Sequence, residues 1–218
     1  MSSVSANNPY RRGAGLYDLN LALPLISAIR RQEARAVAEL IGRHGHVSRT
    51  ALEVGPGTGF YTLALARAFR EVVAVEASAG MAEILRAKLA AAKAANVTVL
   101  NHDFLTLALD GHFDVAVAIG VLDYISDPAA FVAKLCARAR CAVILSAPQR
   151  GLWGACFAAA ARVRRIAVYC HHRSAPAAWA SGWRCTVSEV GLNTRFTRGL
   201  TLVAALEPPQ EADRARTA

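Results

Sequence analysis

Apolar residues in this chain fall into two alternating patterns, short unbroken runs and longer stretches with helical spacing. The runs are Ala51-Leu52-Glu53-Val54, Val72 to Val75, Val97 to Leu100, Val115 to Ile119 and Ala142 to Leu145. Strands of this kind lack a polar face, as in a parallel sheet covered on both sides. Between them, "MAEILRAKLAAAKAAN" sets Met81, Ile84, Leu85, Leu89 and Ala92 on one helical stripe, with Arg86, Lys88 and Lys93 outside it and Asn96 as the predicted stop. Ahead of the first run, "PLISAIRRQEARAVAELIGRHG" repeats Ile26, Ile29, Val37, Leu40 and Ile41 behind Pro24, with Gly42 or Gly45 as its end. The order is that of a βαβ series.

After the fifth run the pattern changes. "CTVSEVGL" and "FTRGLTLVAALEP" both read as strands, and the intervening "NTR" is too short for a crossover helix, so this pair is predicted to be an antiparallel hairpin. The fold class expected is α/β, a doubly wound, mostly parallel seven-stranded sheet ending in that hairpin. Residues 1–16 read as a polar tail, 17–207 as one domain with an insert over 148–185, and 208–218 as a second polar tail.

Composition narrows this picture. A chain of 218 residues, 54% hydrophobic, suits one α/β domain. Cys136, Cys141, Cys156, Cys170 and Cys185 show no Cys-x-x-Cys spacing and are odd in number, so reduced thiols in a reducing, cytoplasmic compartment are expected. The amino terminus lacks the apolar core of a secretory signal, and "FDVAVAIGVLDYI" and "GLWGACFAAAARV" are broken before they could span a bilayer. A soluble protein is expected. The formal charge of +9 points toward an anionic partner but is also ordinary for an Arg-rich enzyme, and nucleic acid is not the expected partner.

Chemistry concentrates in "LEVGPGTGFY", Leu52 to Tyr61. A phosphate-gripping P-loop needs Gly-Lys-Ser/Thr, yet Gly59 is followed by Phe60 and Tyr61. A dinucleotide fingerprint needs a glycine where Phe60 stands. What remains is a tight strand-to-helix turn whose bare backbone lets a ligand lie close without a phosphate. Glu53 before it can accept from an ammonium or a backbone donor, and Glu76 stands 21 residues beyond Gly55, where a carboxylate can accept both hydroxyls of a ribose. The pair implies a nucleoside with a charged amino-acid tail.

These residues resemble the class I S-adenosylmethionine-dependent methyltransferases. "LEVGPGTGFYT" is similar to that family's first motif, "VEASAGM" to its second-strand acid and following loop, "NHDF" to its adenine loop and "FDVAVAIGVLDYISDP" to its fourth strand, over roughly residues 17–206. The resemblance implies S-adenosyl-L-methionine as cofactor. It places Gly55, Gly57 and Gly59 along the methionine moiety and Glu53 on the loop or the amino group. It also places Glu76 on the ribose diol, Met81 against adenine, Asp103 on the adenine amine, Gly120 at the methionine end and Tyr17, with Asp18, near an N-terminal lid. Met81 also suits a core position, and Asp103 also suits a chain turn.

The acceptor is constrained by absences. The segment after the fourth strand, "AIGVLDYI", lacks the Asn/Asp-Pro-Pro-Tyr element that the resemblance associates with nucleobase and protein amine methylation, and "LSAPQ" lacks the acids of a metal-dependent catechol type. No metal is expected. In the insert, Trp153, Cys156, Phe157, Ala160 and Val163 share one helical stripe that ends at Arg162, Arg164 and Arg165, an apolar surface with a basic end. That pattern fits a packing helix, a wall for an apolar acidic acceptor, or contact with a membrane surface, the last least expected. His171 is the leading candidate base, with His172, Asp123 and Tyr124 as rivals. The insert resembles that of the magnesium-protoporphyrin carboxyl methyltransferases at Ala147-Pro148 and Tyr169-Cys170-His171. The expected activity is methyl transfer to a small, partly apolar molecule, preferably on oxygen. The alternatives are an RNA or protein methyltransferase, or an inactive cofactor-binding partner subunit. Oligomeric state is not read from the sequence.

Overall fold

A computed structural model describes residues 24–163, 166–191 and 200–209. Helix α1 (Pro24–His44) leads into strand β1 (His46–Val54), followed by α2 (Thr62–Ala68), β2 (Phe69–Val75), α3 (Ala79–Ala91) and β3 (Val97–Leu100). Then come β4 (Phe113–Ala118), a 3₁₀ turn (Leu122–Tyr124), α4 (Pro128–Cys136), β5 (Ala139–Pro148), α5 (Leu152–Val163), α6 (Ala175–Trp179), β6 (Arg184–Val190) and β7 (Thr201–Glu207). The seven strands form one sheet in the order β3-β2-β1-β4-β5-β7-β6. Strands β1 to β5 pair in parallel, and β7 enters antiparallel between β5 and β6. The expected fold class and antiparallel final pair are both present; the "NTR" link, Tyr17, Asp18, Arg164, Arg165 and the outer parts of both tails lie outside the described residues.

The sheet reverses its order beside β1 and β4, and in such folds ligands collect beyond the carboxyl ends of the strands at that switch. Leu52, Ala116, Val143 and Leu206 belong to the core on one face of the sheet, and Ala51, Val115, Ile144 and Val203 to the core on the other. Alternate residues of each strand thus serve opposite layers, which is why the runs read as continuously apolar.

Several boundaries differ from expectation for local reasons. β1 begins at His46 rather than Ala51 because His46 and Thr50 already pair with Phe69 and Glu71 of β2, and Asp114 accepts from the Thr50 backbone N–H at 2.7 Å. α1 runs through Gly42 and stops at His44; the Gly45 N–H bonds to the Ile41 carbonyl, and a Cβ on Gly45 would lie 2.6 Å from that oxygen. α3 ends at Ala91, not Asn96: Lys93 turns the chain at φ 55°, and the Asn96 amide instead donates to the carbonyls of Ala66 and Phe69. Met81, Leu85 and Leu89 of its predicted stripe are buried, whereas Ala92 is exposed. All five cysteines are free thiols.

Candidate functional site

The turn after β1 carries positive φ at Gly55 (68°), Gly57 (59°) and Gly59 (88°), a conformation that costs an L-residue but not glycine. Space separates their roles. A Cβ on Gly55 would meet Val121 Cγ2 at 2.5 Å, and one on Gly59 would meet Leu85 Cδ1 at 2.5 Å. Those two glycines are small because protein lies against them. At Gly57 the first atom met is Met81 Sδ at 3.7 Å, ordinary contact, so its bareness opens a surface rather than relieving a clash.

Glu76 fastens this turn to the end of β2. Its Oε2 accepts from the Gly57 N–H at 2.9 Å and its Oε1 from the Ser78 N–H at 2.7 Å. Burial raises its pKa against the opposing effect of these backbone donors. A carboxylate oxygen has capacity for a second donor, so the side chain orders the turn and still presents acceptors to a hydroxylated ligand.

Glu53 lies deeper, at the carboxyl end of β1. Its Oε2 is buried with no hydrogen-bond partner. Burial, with a further push from Glu76, raises its pKa to about 7; the nearby Thr62 hydroxyl offsets part of this, although Thr62 Oγ1 makes no hydrogen bond by geometry. An unpaired buried carboxylate is costly. A cationic ligand group would relieve that cost, and this oxygen together with open Gly57 is the observation that fits an amino-acid-tailed nucleoside to the site.

Met81 is buried at the start of α3. Asp103 caps its own turn, with Oδ1 accepting from the Leu105 N–H at 2.9 Å, which occupies one of its two carboxylate oxygens. That loop is clamped from below by Lys134 of α4, whose Nζ donates to the carbonyls of Phe104, Leu105 and Leu107 at 2.6, 2.9 and 2.9 Å. Gly120, φ 69°, donates its N–H to Ser146 Oγ, and a Cβ there would lie 3.5 Å from Arg30 Nη1.

Sequence reasoning missed Arg30, Glu33, Ser146 and Lys134. Arg30 of α1 pairs with buried Glu33 at 2.8 Å and stands over the end of β4. Their i, i+3 spacing on a helix was the available signal. Asp123, in the 3₁₀ turn, has its pKa raised to about 6 by burial, with Arg30 lowering it and Glu33 raising it.

The insert closes over this end of the sheet. Tyr169 donates its N–H to the Asp123 carbonyl at 2.8 Å, His171 to the Pro148 carbonyl at 2.9 Å, and Arg150 to the His171 carbonyl at 2.7 Å. The half-buried His171 ring packs edge-on to Trp179, with Nε2 3.3 Å from the Leu122 carbonyl. A carbonyl accepts only, so Nε2 carries the proton and Nδ1 keeps its lone pair. Burial lowers the His171 pKa, the Leu122 contact opposes this, and Arg150 adds to it. His172 is exposed and pairs with the Ser174 hydroxyl, a local turn contact. The structure thus brings His171 against the 3₁₀ turn that carries Asp123 and Tyr124 and leaves His172 exposed on a local turn.

Residues 51–140 match the family described as a methyltransferase domain. The mitochondrial ribosomal RNA small subunit methyltransferase of Arabidopsis thaliana is 42% identical over 87 residues, 39% of this chain but only 22% of that protein. Magnesium protoporphyrin IX methyltransferase from Synechocystis PCC 6803, solved with bound S-adenosylhomocysteine, superposes with a TM-score of 0.68 over 94% of this chain and 100% of that one at 17% identity. The N-methyltransferase NodS from Bradyrhizobium japonicum WM9 gives 0.61 over 81% and 97% at 14% identity. At those identities the solved structures speak to the fold. With the glycine turn, the Glu76 anchor and the switch point of the sheet all lying inside the matched stretch, residues 51–140 form a methyltransferase domain, and the chain as a whole has the fold of the S-adenosylmethionine-dependent methyltransferases it superposes on.

Proposed function

We propose that this chain transfers a methyl group from S-adenosylmethionine to an oxygen of a small, partly apolar acceptor. When bound, the cofactor supplies an electrophilic methyl group on a positively charged sulfur. Glu76 would accept the ribose hydroxyls, Met81 and Asp103 would meet adenine, and the backbone at Gly55, Gly57 and Gly59 would line the methionine moiety. Glu53 would take the charge of the amino group, and Arg30, beside Gly120, would face the carboxylate. Holding acceptor and donor in line supplies much of the rate, on the order of 7–11 kcal/mol when both are well oriented. His171 Nδ1 would remove the proton from the acceptor oxygen as the new bond forms, because burial keeps the ring neutral near pH 7.

The observation that carries the small-molecule reading is the strap over residues 166–172, which is bonded to Asp123 and Pro148 and sets a half-buried imidazole beside the end of β4. An RNA acceptor is the second reading, favoured by the 42% identity to the Arabidopsis protein and the +9 charge. Calorimetry with S-adenosylhomocysteine tests the cofactor site. Wild type should bind, and Gly57→Val should lose at least about 10²-fold in affinity while keeping its circular dichroism, since a branched side chain fills ligand space and resists positive φ. Wild-type-like binding by a folded Gly57→Val protein would sink the assignment. Labelled methyl transfer to hydroxylated or carboxylated aromatics, set against transfer to RNA, separates the two acceptors. Tight RNA binding that collapses with salt, accompanied by methyl incorporation, would favour RNA.

A further inference from the structure

Helix α5 leaves much of its apolar side in water. Leu152 and Val163 are 83% and 86% exposed, and Trp153 and Phe157 each 37%. With exposed Cys156 they occupy one side of the helix, and Arg162 lies at its margin. Small residues do the packing instead: Gly154 and Ala161 are buried, and a Cβ on Gly154 would lie 2.4 Å from the Gln149 carbonyl and 3.2 Å from Cys170 Sγ. Of the stripe predicted from sequence, Cys156 and Val163 face solvent and Trp153 and Phe157 are partly exposed, while the Ala160 side chain lies outside the described residues; the buried contacts of the helix are made by its small residues.

A second observation concerns charge. Residues 128–188 contain nine Lys and Arg and no Asp or Glu; of these, Arg173 and Arg184 pair with Glu189 and Glu207 and Lys134 is held by three carbonyls, whereas exposed Arg150 and Arg162 stand near the two ends of α5. A surface combining tryptophan, phenylalanine and leucine with flanking arginines suits the boundary between lipid headgroups and acyl chains, where the apolar side chains leave water and the arginines meet anionic headgroups. RNA would use the arginines but would leave Leu152 and Val163 in water.

We propose that α5 docks the protein peripherally on an anionic lipid bilayer. No helix among the described residues is long and apolar enough to cross one, so the contact is with its surface. α5 follows directly from the end of β5 that carries the His171 strap, and docking would therefore turn the acceptor side of the cleft toward the lipid. Only this last step rests on the proposed function; docking itself does not.

The test is co-sedimentation of the full chain with vesicles of phosphatidylcholine alone or mixed with phosphatidylglycerol. Binding should require the anionic lipid and weaken as salt rises. Trp153→Ser with Phe157→Ser should abolish it, and Arg162→Glu, which disturbs no packing, should weaken it about tenfold or more, at about 1 kcal/mol per basic residue near an anionic surface. Both variants should keep wild-type affinity for S-adenosylhomocysteine, which separates failure of docking from failure of the cofactor site. Absence of sedimentation, equal binding to both vesicle types, binding unchanged in Arg162→Glu, or displacement of the protein from vesicles by RNA at equal phosphate concentration would each overturn the proposal.

Discussion

Residues 51–140 hold their polar groups on strand ends and on the backbone, whereas residues 148–190 hold theirs on a helix and a strap laid across the carboxyl end of β5 and the turn after β4. In the first region Glu53, Glu76 and the glycine turn are locked by parallel pairing of β1 with β2 and β4. In the second, α5 packs through glycine and alanine, and the strap is tied by backbone bonds to Pro148 and Asp123. A ligand read by backbone and by buried carboxylates tolerates little change in its framework. A ligand met by a peripheral layer can be exchanged by altering that layer alone, which agrees with the family match lying over the first region and ending before the second.

The largest expected break falls on the peripheral side. If His171 is the base, His171→Ala should lower saturating turnover by roughly 10²–10⁴-fold with little change in S-adenosylhomocysteine affinity. Wild-type turnover should rise with pH through a pKa below 6.5 and level off by neutrality, since burial lowers the pKa of this ring. A saturating rate within about threefold of wild type would pass the chemistry to Asp123, Tyr124 or alignment alone.

Glu53 sharpens the cofactor side. Its folded pKa, raised to about 7 from 4.5, means that the native state holds a proton the unfolded chain has released. Its contribution to stability is therefore present below pH 4.5 and lost as pH rises through 7. A bound ammonium reverses this by favouring the ionised acid. Affinity for S-adenosylhomocysteine should therefore rise between pH 5 and pH 8 by roughly ten- to a hundredfold, and Glu53→Gln should flatten the rise. Calorimetry at both pH values decides, and a pH-independent wild-type affinity would remove the ammonium contact.

Lys134→Met should be milder. Three carbonyls lose a donor, the loop carrying Asp103 loosens, and S-adenosylhomocysteine should bind about tenfold more weakly, with the melting temperature lowered. Arginine at 134 should restore part of the affinity if the clamp acts through donation. The smallest effect is expected at His172, where alanine should change turnover and stability by less than about 0.5 kcal/mol, since the ring is exposed and bonded only locally to Ser174. A large loss there would exchange the roles of the two histidines.

The sheet was legible because burial on both faces forces continuous apolar runs. β1 was read short because His46 to Thr50 are largely polar and exposed and join the sheet by pairing with Phe69 and Glu71 of β2, with Thr50 also tied to Asp114, a partner 64 residues away in the chain. The glycine turn and Glu76 were legible because spacing alone limits what a strand-to-helix turn can hold. Arg30 and Glu33 were not, since helical periodicity is read from apolar positions and leaves the polar side uninterpreted. For α5 the stripe was visible but not its direction: periodicity finds a face without saying what covers it, and the packing side proved to be Gly154 and Ala161, residues too small to register as a stripe.

The placement of β7 bears on synthesis. Its seven residues sit between β5 and β6, pairing with both, and Leu202 to Leu206 are buried among them. A chain emerging from the ribosome at about 5–20 residues per second therefore exposes the unsatisfied edge of β5 from the time residue 148 appears until residue 207 follows, an interval of several seconds or more. During that interval, the six residues Val143 to Pro148 that β7 later covers are open to pairing with another nascent chain. Expression yield should depend on how quickly residues 149–207 are translated, so slow codons in that stretch should increase aggregation while the finished protein stays unchanged.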